Sequence, residues 1–222
     1  MLYVFRTLVD SAIPLNEGCF KPLTIIAPRG SMINAEYPSA VIAGNTEVSQ
    51  AMCNALYGAL GVMAGSQATM NNFVWGNDRL QNYETICGGT GAGPDFDGCS
   101  AIQTHMTNTR STDPEVLEWR FPVRIEEFSI RHGSGGRGRH TGGSGITRRV
   151  KFLEQMTVTV LCGHRRVPPF GVDGAEPGEP GSEWVERANG ERVALKGIDA
   201  VTVYPDDVFV MQTPGGGGYG RV

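Results

Sequence analysis

The chain has 222 residues, of which 40% are hydrophobic and 19% charged, and a formal net charge of −4. That length suits one large or two small globular domains with a real core. The acidic balance argues against general affinity for nucleic acid, and no stretch approaches the roughly 18 consecutive apolar residues of a membrane span.

The N-terminus lacks the basic, apolar and small-residue pattern of a secretory signal, so a cytoplasmic location is expected. Five cysteines are scattered without a C-x-x-C pair, which argues against a disulfide framework and a structural zinc site. Glycine is the outlier: 31 residues is roughly twice the usual 7%, and their spread among polar residues predicts tight turns and close backbone approaches.

In chain order, Leu2 to Val9 is apolar and fits a strand or a short helix. Prolines and glycines then punctuate short extended pieces, of which Leu23 to Ala27 is the best strand candidate. Val48, Ala51, Met52, Ala55, Leu56, Ala59, Leu60 and Met63 recur at the spacing of one helix face. This predicts a buried helix over about 46–64, capped by Asn45 or Thr46 and ended by Gly65. Beta-like runs follow at Met70 to Trp75, Asn82 to Cys87 and Ala101 to Met106, and Asp113-Pro114-Glu115 marks a helix start.

From Phe121 the pattern is all beta. Phe121, Val123 and Ile125 alternate, then Phe128 and Ile130 alternate in the opposite phase, which predicts a bulge near Glu126-Glu127. Further strands are expected at 146–152, 157–161, 192–195, 201–204 and 208–212, with a hairpin turn at Ala188-Asn189-Gly190. Composition does not decide whether the tail from Pro214 to Gly220 is mobile or docked. The fold class is therefore α+β, with a beta-rich C-terminal half, one buried N-terminal helix and Gly-rich loops.

Polar chemistry concentrates between Ser66 and Arg110. Gln67, Thr69, Asn71 and Asn72 follow the helix and Glu84 lies in a facing strand. These groups either tie loops together or read a polar ligand. His105, with Thr107, Asn108 and Arg110 beside it, is a candidate general acid/base or orienting donor as well as a structural histidine. The Gly88–Gly93 run lacks the Lys-Ser/Thr of a P-loop. Gly89, Gly91 and Gly93 form a tight turn or a backbone nest for an anionic group. The Arg131–His140 segment reads as a structured loop whose arginines face carboxylates or a partner. No histidine pair has ligand spacing, so no metal site is expected from this chain alone.

These residues carry a resemblance. The segments Ile13-Pro14-Leu15-Asn16, Gly44-Asn45-x-Glu47, Ser66-Gln67-x-Thr69-Met70-Asn71-Asn72, Tyr83-Glu84-Thr85, His105-Met106-Thr107-Asn108-Thr109-Arg110, Arg165-Arg166 and Thr213 to Gly220 together resemble the C-terminal portion of the hydantoinase B/oxoprolinase family, over residues 1–222. The resemblance implies a component of an ATP-dependent enzyme opening a small cyclic amide such as 5-oxoproline or a hydantoin. In that chemistry a hydantoinase A-type partner binds ATP and Mg and phosphorylates the amide oxygen, and water then opens the ring. Any divalent metal is expected in the family's N-terminal portion, which precedes the part matched here. The chain alone is then expected to be inactive. The alternatives are a ketone carboxylase component of the same family and a non-catalytic truncated assembly fragment. Two departures stand out: Asp206-Asp207 replaces a usual Gly-Asp, and Cys162-Gly163-His164 precedes the paired arginines.

Overall fold

The computed structural model describes residues 1–10, 12–14 and 16–222. Ser11 and Leu15, the latter inside the Ile13–Asn16 motif, lie outside the described residues. The fold is α+β, built from two antiparallel sheets. One has four strands in the order β2 (Gln81–Thr85), β1 (Asn72–Gly76), β5 (Met156–Leu161), β8 (Ile198–Val203). The other has five in the order β3 (Val123–Ile130), β4 (Ile146–Phe152), β9 (Val208–Gln212), β6 (Ser182–Glu186), β7 (Arg192–Leu195).

The core lies between the sheets because each strand turns alternate residues inward. Phe73 and Trp75 of β1 and Val158 and Val160 of β5 meet Val150 and Phe152 of β4 and Phe209 and Met211 of β9. Phe73 stacks on Phe209 with ring centroids 4.4 Å apart, and Trp75 meets Phe152 edge-on at 5.8 Å. One core-facing position of β4 holds a charge. Arg148 is buried and its Nη2 donates to both oxygens of Glu84 on β2, at 2.9 and 3.0 Å, so the pair ties the two sheets together. Arg148 also lies over the Phe128 ring, 4.9 Å from its centroid.

The bulge expected in β3 is present as a register shift between Ile125 and Glu127. It brings Phe128 opposite Arg148 and Ile130 opposite Ile146, on the core side. Both stay partly exposed because β3 is an edge strand. The hairpin at 188–190 joins β6 to β7, with Gly190 at φ +87°. β6 itself escaped the sequence pattern, since the Trp184 and Val185 side chains are buried on opposite faces of the sheet and erase the alternation. Leu23 to Ala27 forms no strand, and 101–106 is a loop with a single bridge from Ile102 to Gly88.

Leu2–Thr7 is a short helix, α1, and Pro114–Arg120 is α3, where Asp113 caps the N-terminus through the N–H groups of Glu115 and Val116. The longest helix differs from its expected form. A π-helical turn over Gly44–Val48 leads into α2 (Ser49–Leu60), and Gly61 at φ +67° ends it four residues before Gly65. Its buried face is Gln50, Cys53, Asn54 and Tyr57, while Ala51, Ala55, Ala59 and Leu60 are exposed. Part of the apolar stripe thus faces outward, while Leu56 and Met63 pack against the Val4, Cys53 and Tyr57 cluster. The amides face inward because each finds an internal partner.

The glycine-rich tail is docked. Gly216 donates to the Gly143 carbonyl at 2.8 Å, Gly217 to Gly65 at 2.8 Å, and Gly215 to Glu179 at 3.1 Å. A Cβ on Gly216 would stand 1.8 Å from the Thr90 carbonyl oxygen, so only glycine allows these backbones to approach.

Candidate functional site

The outer face of the four-stranded sheet forms the floor of a cavity of about 720 Å3. Val74 of β1, Gln81 and Tyr83 of β2, and Thr159 and Leu161 of β5 point to it, and the pairing places Val74 opposite both Tyr83 and Thr159. One wall is the π-helical turn with Asn45 and Thr46. The other is the Met106–Thr109 loop. Among the described residues no charged side chain lines the cavity.

The loop wall is held by the inward amides of α2. Gln50 Nε2 donates to the Thr104 carbonyl at 3.2 Å and to the Thr107 hydroxyl. Asn54 Oδ1 accepts from His105 Nε2 at 3.0 Å and from the Ser66 N–H at 3.0 Å. His105 itself adopts φ +50°, which turns the chain sharply into the wall. Gln50 leaves the Thr107 O–H hydrogen free to donate elsewhere.

The floor is fixed by a second network. Glu47 Oε1 accepts from Thr69 Oγ1 at 2.9 Å, the Met70 N–H at 3.2 Å and Asn72 Nδ2 at 2.9 Å. Asn72 Oδ1 accepts from Tyr83 OH at 2.7 Å. Burial pushes the Glu47 carboxyl up despite these donors, and burial likewise raises the Tyr83 hydroxyl.

The expected site residues therefore separate. Asn72, Thr107 and Asn108 line the cavity. Gln67, Thr69, Asn71 and Glu84 are buried and engaged internally. Asn71 Nδ2 donates to Gln67 Oε1 at 2.7 Å and to the Ile86 carbonyl at 2.9 Å, and its Oδ1 accepts from Arg165 Nη1 at 2.8 Å. Of the two readings open for these groups, this geometry favours loop-tying. His105 sits between the rings of Tyr3 and Tyr57, with centroids 5.8 and 5.7 Å away, and lies outside the cavity lining. Burial drives its pKa down to about 4, and its Nε2 pairs with Asn54 Oδ1 at 3.0 Å. Arg110 is exposed beside the loop and outside the lining.

The glycine loop also departs from the nest reading. Gly89 N–H donates to Pro214, Gly91 to Ser66 Oγ and Gly93 to Phe96, each at 3.0 Å, which leaves none of the three for an anion. Arg131 departs too, since its Nη1 donates to the Pro180 and Thr213 carbonyls and not to a carboxylate. Asn45, Thr46, Val74, Tyr83 and Thr159 also line the cavity, outside the site residues that the sequence singled out. Their signal was the outward phase of β1, β2 and β5 together with Asn45 and Glu47 just before α2.

An uncharged cavity of this size, laid on a sheet and walled by clamped loops, has the dimensions and polarity of a small-molecule site. The chain belongs to the hydantoinase B/oxoprolinase family, whose model matches residues 1–222. It is 43% identical over 220 residues to a 5-oxoprolinase of Dictyostelium discoideum, covering 99% of this chain and 17% of that protein. It is thus similar to about one sixth of that relative's length. The ATP-dependent caprolactamase of Pseudomonas jessenii shares the fold with a TM-score of 0.83 and 26% identity, over 99% of this chain and 42% of that one. Acetone carboxylase matches at a TM-score of 0.61 with 17% identity, over 71% of this chain and 26% of that one, a likeness of fold alone. Among the described residues no helix is long and apolar enough to cross a membrane.

Proposed function

We propose that this chain is one part of an ATP-dependent cyclic-amide hydrolase and that its cavity receives the ring. The observation that carries the reading is the cavity's composition, set in a chain of this family. Ile42, Met70, Val74, Met106 and Leu161 offer apolar surface to ring methylenes, while Asn45, Thr107, Asn108 and Thr159 offer neutral donors and acceptors to one amide. About 720 Å3 falls within the roughly 300–1,000 Å3 of small-molecule sites.

A hydantoinase A-type partner is expected to bind ATP and Mg, with ATP supplying the phosphoryl group that makes the amide carbon electrophilic. The residues here bind and orient. The Thr107 O–H and the Asn108 amide face the ring, Tyr83 and Asn72 hold the floor through Glu47, and α2 keeps the loop in place. A carboxylate-bearing ring such as 5-oxoproline needs a cation from outside this uncharged lining, and Arg110 is the one closest in sequence to the loop. The remaining portion of the family fold is expected to close the site and to supply any metal.

Reconstitution with a hydantoinase A-type partner and the remaining family portion tests the reading. ATP-dependent ring opening of 5-oxoproline and of caprolactam is measured for wild type, Thr107→Val and Asn108→Ala. Both variants are expected to raise KM with folding intact, and the chain alone is expected to turn nothing over. Unchanged kinetics in both variants contradict the assignment, and bicarbonate-dependent turnover of a ketone in place of lactam opening would replace it.

A further inference from the structure

We propose that the groove at the end of β5 is a binding site for a doubly charged oxyanion of the phosphate class. The groove is a second cavity, of about 710 Å3, and shares no lining residue with the first. Arg165, Arg166, Lys196 and His164 line it together with Ser182, and no carboxylate does. The paired arginines belong to the sequence motif that the cyclic-amide reading leaves unused.

Arg165 is the fixed element. Its Nε donates to Glu183 Oε1 at 2.6 Å and its Nη2 to the same oxygen, while its Nη1 donates to Asn71 Oδ1 at 2.8 Å and the Gly163 carbonyl at 2.7 Å. Four of its five N–H groups are committed, and one Nη2 hydrogen remains on a side chain that lines the groove. Gly181 and Gly197 make room for it. A Cβ on Gly181 would stand 2.7 Å from Arg165 Cζ, and one on Gly197 3.3 Å from Cγ.

The buried Glu183 carboxylate offsets the Arg165 charge, so the surplus comes from Arg166 and Lys196. Both are exposed, and neither side chain makes an ion pair or hydrogen bond among the described residues. Asp199 accepts from the backbone N–H groups of Lys196 and Ala200 at 3.0 and 2.9 Å, and its carboxylate also feels the Lys196 charge without forming an ion pair. Arg166 and Lys196 beside a locked guanidinium, in a chain of net charge −4, form a local positive focus that Asp199 offsets only on the Lys196 side. A tetrahedral dianion matches that charge and can accept from the Arg fork, the ammonium group and the Ser182 hydroxyl together.

Isothermal titration of the 222-residue chain with inorganic phosphate at low ionic strength tests the proposal. Saturable one-to-one binding that weakens with added salt is expected. The double variant Arg166→Ala/Lys196→Ala should lose at least about tenfold in affinity, while the charge-matched control Lys21→Ala/Arg124→Ala should not. An ADP arm separates sources: tighter binding with the same sensitivity assigns the groove to a nucleotide phosphoryl group, and equal or weaker binding assigns it to free phosphate. No saturable heat up to about 10 mM phosphate, wild-type affinity in the double variant, or an equal loss in the control overturns it. The proposal does not depend on the cyclic-amide reading, since the two cavities are assayed with different ligands.

Discussion

Replacing Glu84 by Gln removes one negative charge from between the two sheets while keeping the side chain's shape. The consequence follows from how completely Arg148 depends on it. The two side chains are 1% and 5% exposed, and Arg148 Nε and Nη1 have no partner among the described residues, so Glu84 is the only carboxylate answering the guanidinium. Burial pushes the Glu84 carboxyl up even with Arg148 beside it, which marks the desolvation as the larger effect. Removing one member of such a pair costs about 3–5 kcal/mol, and the acceptor that Gln retains places this change near 3. With a urea dependence of about 1–3 kcal/mol per M, the unfolding midpoint should fall by about 1 M or more. The double variant Glu84→Leu/Arg148→Met, which removes both charges, should return to within about 1 kcal/mol of wild type. Urea denaturation followed by tryptophan fluorescence measures both. A loss under about 1 kcal/mol in Glu84→Gln, or a double variant worse than the single, refutes the claim that one uncompensated charge governs this site.

His105 gives a pH-dependent signature. Its folded pKa of about 4 lies below the unfolded value of 6.5, so the unfolded chain binds the proton first and stability falls as pH drops from about 6.5 to 4. The full contribution is about 3 kcal/mol. His105→Phe should flatten that slope relative to wild type, with His164, also lowered by burial, contributing equally to both; an unchanged slope contradicts the burial argument. Gln50→Ala should cost about 1–3 kcal/mol and speed amide exchange at Thr107, whose N–H donates to Thr104; unaltered exchange there would show that the clamp does not hold the loop. Gly216→Ala places a methyl 1.8 Å from a carbonyl oxygen and should cost more than about 3 kcal/mol or prevent folding. Gly44→Ala, with nothing within 4 Å, should change thermal stability by no more than about 1 kcal/mol, and equal effects of the two would contradict the packing account.

Much of the sandwich was legible because strand alternation is a local signal. Ile146 to Phe152 and Val208 to Gln212 alternate or run apolar, and they emerge with those bounds. The β3 bulge was readable from the change of phase at Glu126-Glu127. The orientation of α2 was not, because Gln50 and Asn54 gain their partners from Thr104, Thr107, Ser66 and His105, which lie 12 to 57 residues away. Hydrophobic periodicity alone placed Ala51, Ala55, Ala59 and Leu60 on the buried side, where the structure exposes them. The same limit applies to the polar cluster: Asn71 and Asn72 are neighbours with the same side chain, yet one is locked behind Arg165 and the other faces the cavity. Only the positions of distant strands separate them. The glycine tail was ambiguous in composition because its docking rests on backbone hydrogen bonds to Gly65 and to residues within 89–92, 136–143 and 172–179, which leave no side-chain pattern.

Filling the cavity tests the central claim most directly. Thr159 stands on the exposed face of β5, opposite Val74, where a larger side chain occupies the ring's place without entering the core. In the reconstituted enzyme, Thr159→Trp should abolish saturable ATP-dependent lactam opening while the chain keeps its wild-type unfolding midpoint. Wild-type KM and kcat in that variant would contradict the placement of the cyclic amide in this cavity.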